Sequence, residues 1–455
     1  QAKETVKRYK AIDKIIYQTV KQGKPTGKYQ LTKNIDDVLI HPILGYVVFL
    51  MILFLLFQSV FSWSAYPMEV IDSFFTNLSV WIANALPPGM LNDLLVNGIL
   101  AGLGGIVIFV PQIAFLFAFI AFLEDTGYMA RVSFITDKLL RNVGLNGRSI
   151  IPLLSGAACA VPAIMSARTI SSWKERLITI MVTPLMSCSA RLPVYTIIIG
   201  MIIPIEEFRG FNLQGLVLMA FYLLGFMAAI AIAFVMKFII KSKERSYYIM
   251  EMPSYKMPDW KTVLYTIVEK VKIFLFDAGK IIIAISIVLW GLSSFAPGNK
   301  FEKIEEQWAG KADSEMHIAA EKLEVSYAGM IGKSIEPAIK PLGFDWKIGI
   351  SLITSFAARE VFVGTMSTIY SVGDENIQSI QERMKNVKNQ ETGEAFFTPA
   401  VGISLMLFYA FAMQCMSTLA IVYRETKHWK WPVIQFFYMG ALAYLSSFIT
   451  YQLLS

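Results

Sequence analysis

The sequence predicts an all-α integral membrane protein, built as an inverted repeat with two re-entrant hairpins and about seven crossings. Three observations carry this reading. The 455 residues are 55% hydrophobic and only 16% charged, against about 25% charge in a soluble domain. Several apolar segments reach the roughly 20 residues that cross a bilayer as a helix. Two interrupted stretches also look like copies of each other. The first runs from Gly144-Leu145-Asn146 through Ser155-Gly156-Ala157-Ala158-Cys159-Ala160-Val161-Pro162, the second from Gly343-Phe344-Asp345 through Ser355-Phe356-Ala357-Ala358-Arg359-Glu360-Val361. Each is followed by an apolar span carrying Met-x-Cys, as Met186-Ser187-Cys188 and Met413-Gln414-Cys415.

Residues 1–40 are polar and basic and read as a cytosolic helical linker. Residues 41–104 hold a lead-in crossing near 43–63 and an external amphipathic segment. The first repeat, 105–241, has crossings near 105–123, 175–203 and 213–240 and the broken segment 148–168. Residues 242–271 form a basic cytosolic loop. The second repeat, 272–455, has crossings near 272–295, 399–422 and 432–452, the broken segment 347–370, and loops 296–346 and 371–397.

Charge decides whether the broken segments cross. No Lys or Arg lies between Lys33 and Arg131, so the loop 64–92 is outside, while 124–148, with Arg131, Lys138, Arg141 and Arg148, is inside. If 148–168 crossed, the basic run of Lys237, Lys241, Lys243, Arg245 and Lys256 would fall outside, against the positive-inside rule. As two re-entrant hairpins, they leave every basic loop inside and the acidic loops 296–346 and 371–397 outside. The two copies are then inverted. A second register, Ser187-Cys188-Ser189-Ala190-Arg191 against Ser355-Phe356-Ala357-Ala358-Arg359, also exists; the longer match aligns hairpin with hairpin and crossing with crossing.

Three cysteines in apolar segments do not make a disulfide framework. The net charge of +7 sits in loops and reads as topology signal and headgroup contact, not nucleic-acid binding. A duplicated membrane unit, broken by Gly and Pro with thiols at the breaks, is the pattern of a transporter whose site lies near the midplane. Cys159, Cys188 and Cys415 are the thiol candidates for a borderline divalent cation; a lone membrane Cys is otherwise a small apolar residue. Glu360, beside Arg359 in the second hairpin, is an intramembrane carboxylate and a functional candidate by default. A structural ion pair with Arg191 is its alternative role. Glu124 and Asp125 either form a cation exit or solvate a helix end. Met186 and Met416, with Met165 and Met413, either ligate or fill gaps. His41, His317 and His428 have no helical pairing, against a His-built zinc site. Gln414 is the only amide expected at the breaks, which argues against a nucleoside site.

These residues resemble a family. Leu31-Thr32-Lys33-Asn34-Ile35-Asp36-Asp37 through His41-Pro42-Ile43-Leu44-Gly45 is similar to the membrane lead-in of bacterial ferrous iron transport protein B. Also similar are Glu124-Asp125-Thr126-Gly127-Tyr128-Met129-Ala130-Arg131, Cys159-Ala160-Val161-Pro162, Pro184-Leu185-Met186-Ser187-Cys188 and Ala358-Arg359-Glu360-Val361. The resemblance implies two gate motifs in a bacterial cytoplasmic (inner) membrane protein with a cytosolic N-terminus. It also implies Fe(II) as substrate, a small cytosolic Feo accessory protein, and a homo-oligomer as an open option. A Mn(II) or other divalent carrier, or a nucleoside-type carrier, is the alternative. GTP and Mg(II) belong to a GTPase domain of that family for which this chain has no Gly-x4-Gly-Lys-Ser/Thr; the expectation is a fragment, with no catalytic residues of its own. One departure is Gly156-Ala157-Ala158, where the family commonly has Gly-Phe-Gly before the first cysteine.

Overall fold

The computed structural model describes residues 27–41, 43–87, 89–204, 207–208, 211–240, 253–308, 314–356, 359, 361–369, 384, 396–413 and 415–455, with isolated positions before residue 20. Apart from a two-residue hairpin pairing Glu207–Phe208 with Phe211–Asn212, the described chain is helical. Among the described residues, five helices are long and apolar enough to cross a membrane: Met90–Asp125, Trp173–Ile202, Leu213–Ile239, Pro399–Thr426 and Lys430–Leu454. A sixth span results if the bent pair Thr32–Leu39 and Leu44–Gln58 counts as one. The expectation of about seven crossings is therefore met only in part. The stretch 272–295 is helical through Phe274–Ala278 and Gly279–Ser294, and among the described residues its apolar part is Ile282–Ser294.

Helix α1 (Gly27–Leu39) meets α2 (Leu44–Gln58) at 89°. The His41 imidazole sits at this corner, its Nδ1 accepting from the amides of Ile43 and Leu44 at 3.2 Å each, which serves two of the amides a helix start leaves unbonded. Helix α3 (Ala65–Ala85) follows. Helix α4 (Met90–Asp125) starts earlier than the expected crossing near 105. Gly98 and Gly102 lie on its early part against Trp290 and Ser286, so the helix is packed on its partner well before residue 105. That partner is α12 (Gly279–Ser294), reached from α11 (Trp260–Ile273), which packs on the later part of α4.

The first broken segment is a pair of short helices. After the amphipathic α5 (Tyr128–Asn142), α6 (Ile150–Ala158) stops at Cys159, whose backbone is extended, and α7 (Ala160–Ser166) restarts. Arg148, before α6, donates from Nη1 to the Thr169 carbonyl, past the end of α7, at 3.0 Å. Both ends of the segment thus lie together and Cys159 is the tip. The next span is broken too: α8 (Trp173–Val182), an irregular stretch through Pro184 and Cys188, then α9 (Leu192–Ile202). Helix α10 (Leu213–Ile239) packs on both halves.

The second half repeats this order. Helices α13 (Lys300–Trp308), α14 (Ser314–Val325) and α15 (Tyr327–Ile339) lead to the short pair α16 (Trp346–Thr354) and α17 (Val361–Ile369). Thr354 and Thr365 share a hydroxyl hydrogen bond of 2.8 Å across the two arms, with Arg359 between them. The span α18 (Pro399–Phe411) ends before Ala412 and Met413, α19 (Met416–Thr426) starts after Cys415, and α20 (Lys430–Leu454) packs on both. The caps match as well. Gly144 and Gly343 have left-handed φ of 86° and 83°, which glycine adopts without steric cost. Two residues on, Asn146 and Asp345 each accept a hydrogen bond from the amide three residues later. Contacts between halves are reciprocal: α7 touches α19, and α17 touches α9. The core therefore sits where short helices of one half meet broken spans of the other.

Candidate functional site

A helix break leaves carbonyls and amides without intrahelical partners, and at membrane depth these need protein partners or a wet cavity. At the first span break the partner is Arg191. It is wholly buried. Its Nη1 donates to the carbonyls of Leu185 (3.3 Å) and Met186 (3.0 Å), and its Nη2 to that of Pro184 (3.1 Å). Gly225 of α10 lets this stretch pack close, since a Cβ there would lie 2.9 Å from the Leu185 carbonyl oxygen and 3.0 Å from Ser187 Oγ. Arg191 is thus occupied by backbone. A pair with Glu360 lies outside the described residues.

Both hairpin tips and both span breaks border one cavity of roughly 100 Å³. Cys159 and Arg359 come from the tips, Met186 and Cys188 from the first break, and Cys415 from the second. Phe109, Gln112, Ser189, Phe274, Ser417 and Thr418 complete its polar and aromatic wall. No cysteine is in a disulfide. Arg359 is 5% exposed; its Nη2 donates to the Ala412 carbonyl at 3.3 Å, and among the described residues neither its Nη1 nor Ser417 Oγ has a partner. No group of three His, Cys, Asp or Glu side chains close enough to hold a metal occurs among the described residues. The cysteines share a chamber without forming a ready-made three-thiol ligand set.

Of the other expected site residues, Met416 begins α19 and is 38% exposed, outside the cavity lining. Glu124 is exposed at the end of α4. Asp125 lies away from the cavity, 2.7 Å from Lys256 Nζ, and accepts from the Asp259 amide at 2.6 Å. The observed neighbourhood of Asp125 is that of a carboxylate tying α4 to the start of α11. Glu360 and Gln414 lie outside the described residues. Sequence reasoning missed Gln112 and so took Gln414 for the only amide. The signal was there: Gln112 is the sole amide in the apolar run 105–123, and a polar side chain inside such a span calls for a partner.

Comparison with known proteins fits this division. A family model described as "Gate: Nucleoside recognition" matches residues 106–202 and 275–429, the stretches that hold both hairpins and both broken spans. A model described as "Ferrous iron transport protein B C terminus" matches 218–270. The chain is 44% identical over 454 residues to the Fe(2+) transporter FeoB of Leptospira biflexa, covering 99% of this chain and 63% of that protein. It is 36% identical over 433 residues to the Fe(2+) transporter FeoB of Staphylococcus aureus, covering 94% and 60%. To the Fe(2+) transport protein A/Fe(2+) transporter FeoB fusion protein of Porphyromonas gingivalis it is 37% identical over 442 residues, covering 93% and 51%. The chain thus spans about half to three fifths of the length of these curated relatives. No solved structure matches.

Proposed function

The chain belongs to the ferrous iron transport protein B family, and from that premise we propose that it passes Fe(II) across the bacterial cytoplasmic membrane through the cavity bordered by Cys159, Cys188 and Cys415. The observation that carries the proposal is the meeting of both tips and both span breaks, with all three cysteines of the chain, at that one chamber. Thiol sulfur and freed backbone carbonyls are acceptable ligands for Fe(II). Because the thiols do not form a ready-made set, the ion is handed between partial ligand sets, which suits passage better than storage. Met186 adds a soft thioether to the wall. Glu360 is retained as a path carboxylate. Met416, Glu124 and Asp125 line no part of the chamber and are not retained as ligands.

The inverted repeat is part of this proposal. Its supports are the matched Gly144 and Gly343 turns, the matched Asn146 and Asp345 caps, and the reciprocal contacts of α7 with α19 and α17 with α9. Re-entrance is supported by the Arg148–Thr169 and Thr354–Thr365 bonds. With the positive-inside rule, these give a cytosolic N-terminus. The chain has no P-loop, so GTP- and Mg(II)-dependent regulation acts from sequence outside it. One relative's name joins the transporter to Fe(2+) transport protein A; a small accessory protein of that kind is the proposed cytosolic partner.

The Gate description favours a second reading, a nucleoside-type carrier. The chamber's roughly 100 Å³ falls below the ~300 Å³ at which small-molecule pockets begin, so it suits an ion better. The deciding experiment is uptake by the full-length protein in proteoliposomes, with Fe(II), Mn(II), Zn(II) and a nucleoside compared. Fe(II) uptake that falls in Cys188→Ser supports the proposal. Nucleoside uptake without metal uptake would overturn it, and a preference for Mn(II) would correct the substrate.

A further inference from the structure

A second cavity, of about 430 Å³, lies against the first. Its wall includes Ser64, Met68, Glu69 and Asp72, on α3 and just before it. The two cavities share Phe109, Gln112, Ser189 and Ala190. These four residues are the partition between them.

The partition is held by polar contacts. Gln112, 8% exposed, donates from Nε2 to Ser189 Oγ at 2.8 Å. Ser189 Oγ in turn donates to the Ala158 carbonyl at 3.0 Å. Ala158 precedes the tip residue Cys159, and Ser189 follows Cys188. One short chain of hydrogen bonds therefore joins α4 to the first hairpin tip and to the first span break, beside two of the three thiols. Most of the wall around it is apolar, and apolar packing alone would close the gap without direction. A single neutral hydrogen bond is weak in net terms, so this closure opens and re-forms at little cost. The amide and hydroxyl also offer oxygen to a cation passing between the chambers, which Phe109 and Ala190 do not.

We propose that the Gln112–Ser189 pair is the closure between a carboxylate-bearing antechamber and the thiol chamber, and that its opening sets how fast reagents and ions from the α3 side reach Cys159 and Cys188. Which way ions run rests on the transport reading; the closure itself does not. The charge pattern assigns α3 to the outside, so the antechamber is the outer one.

The test uses the full-length protein in proteoliposomes, in two backgrounds that keep only Cys159 or only Cys188. A membrane-impermeant methanethiosulfonate reagent is applied from the α3 side without metal. Gln112→Ala is expected to raise the labelling rate at least tenfold at both cysteines. Ser189→Ala, a smaller change that spares the fold, is expected to raise it in the same direction. Labelling from the opposite face stays unchanged. The proposal falls if neither substitution alters the rate, or if labelling rises equally from both faces, which would mean general loosening. Should wild type fail to take up Fe(II) while the labelling jump is present, the closure stands and the transport reading fails.

Discussion

Asp36 and Arg131, far apart in sequence, face each other as a two-point pair, with Nε to Oδ1 at 2.9 Å and Nη2 to Oδ2 at 3.1 Å. Arg131 is 1% exposed. Its Nη1 also donates to the carbonyls of Gly127 (3.0 Å) and Pro253 (2.5 Å), and its guanidinium lies 4.2 Å above the Tyr255 ring. Tyr255 donates its hydroxyl to Asp36 Oδ1 at 2.6 Å. The lead-in helix α1 is thereby fixed to α5 and to the segment before α11.

Removing the Asp36 charge strands a buried arginine. Breaking a buried pair costs about 3–5 kcal/mol; Asp36 keeps 21% of its side chain exposed, so Asp36→Asn is expected to cost about 2–3 kcal/mol. Thermal unfolding in detergent measures it. A melting temperature equal to wild type would mean that the pair holds nothing.

The same pair gives a pH dependence of known sign. Burial works against the Asp36 carboxylate, but hydrogen bonds from Arg131 and Tyr255, with the Arg131 charge, outweigh it and leave the group below the usual carboxylate range. A depressed native value stabilises the fold fully above the unfolded value of about 3.9, and that stability is lost as pH falls through the native value. The gap in melting temperature between wild type and Asp36→Asn should therefore be constant from pH 8 to about 5 and narrow below about pH 4. A gap that widens on acidification would reverse the assignment.

The cysteines predict a graded response. Since they line one chamber without forming a three-ligand cluster, Cys159→Ser, Cys188→Ser and Cys415→Ser should each weaken Cd(II) binding by about tenfold, or ~1.4 kcal/mol. Pairs of substitutions should add. Calorimetric titration of the purified full-length protein reads this directly. Loss of all binding from any single change would point instead to one rigid three-thiolate site.

Much of this arrangement was legible in the sequence, for identifiable reasons. Gly144 with Asn146, and Gly343 with Asp345, are local signals: a left-handed turn and a cap are decided within a few residues. The thiols at the breaks were legible because cysteine is rare here. What stayed hidden was long-range. Nothing near Gln112 in sequence names Ser189 as its partner, and nothing near Arg131 names Tyr255. The contacts of Asp125 went unseen because its partners, Lys256 and Asp259, lie more than 100 residues away in sequence. The crossing expected near 272–295 falls on consecutive helical segments, Phe274–Ala278 and Gly279–Ser294.

Arg191 offers the sharpest test of how a broken span is kept open. Its planar guanidinium reaches three successive carbonyls, those of Pro184, Leu185 and Met186, which the break has freed from the helix. Lysine at this position keeps the charge but concentrates its donors on one atom, which cannot span three acceptors. At least one buried carbonyl then loses its partner, at about 1–3 kcal/mol each. Arg191→Lys is therefore expected to destabilise the protein by about 2–4 kcal/mol, and to speed thiol labelling of the neighbouring Cys188. Arg191→Gln, which loses the charge as well, should be no better. Wild-type stability in Arg191→Lys, with unchanged Cys188 labelling, would mean that packing from α10 and α20 holds the break, and that charge alone is what the site requires of residue 191.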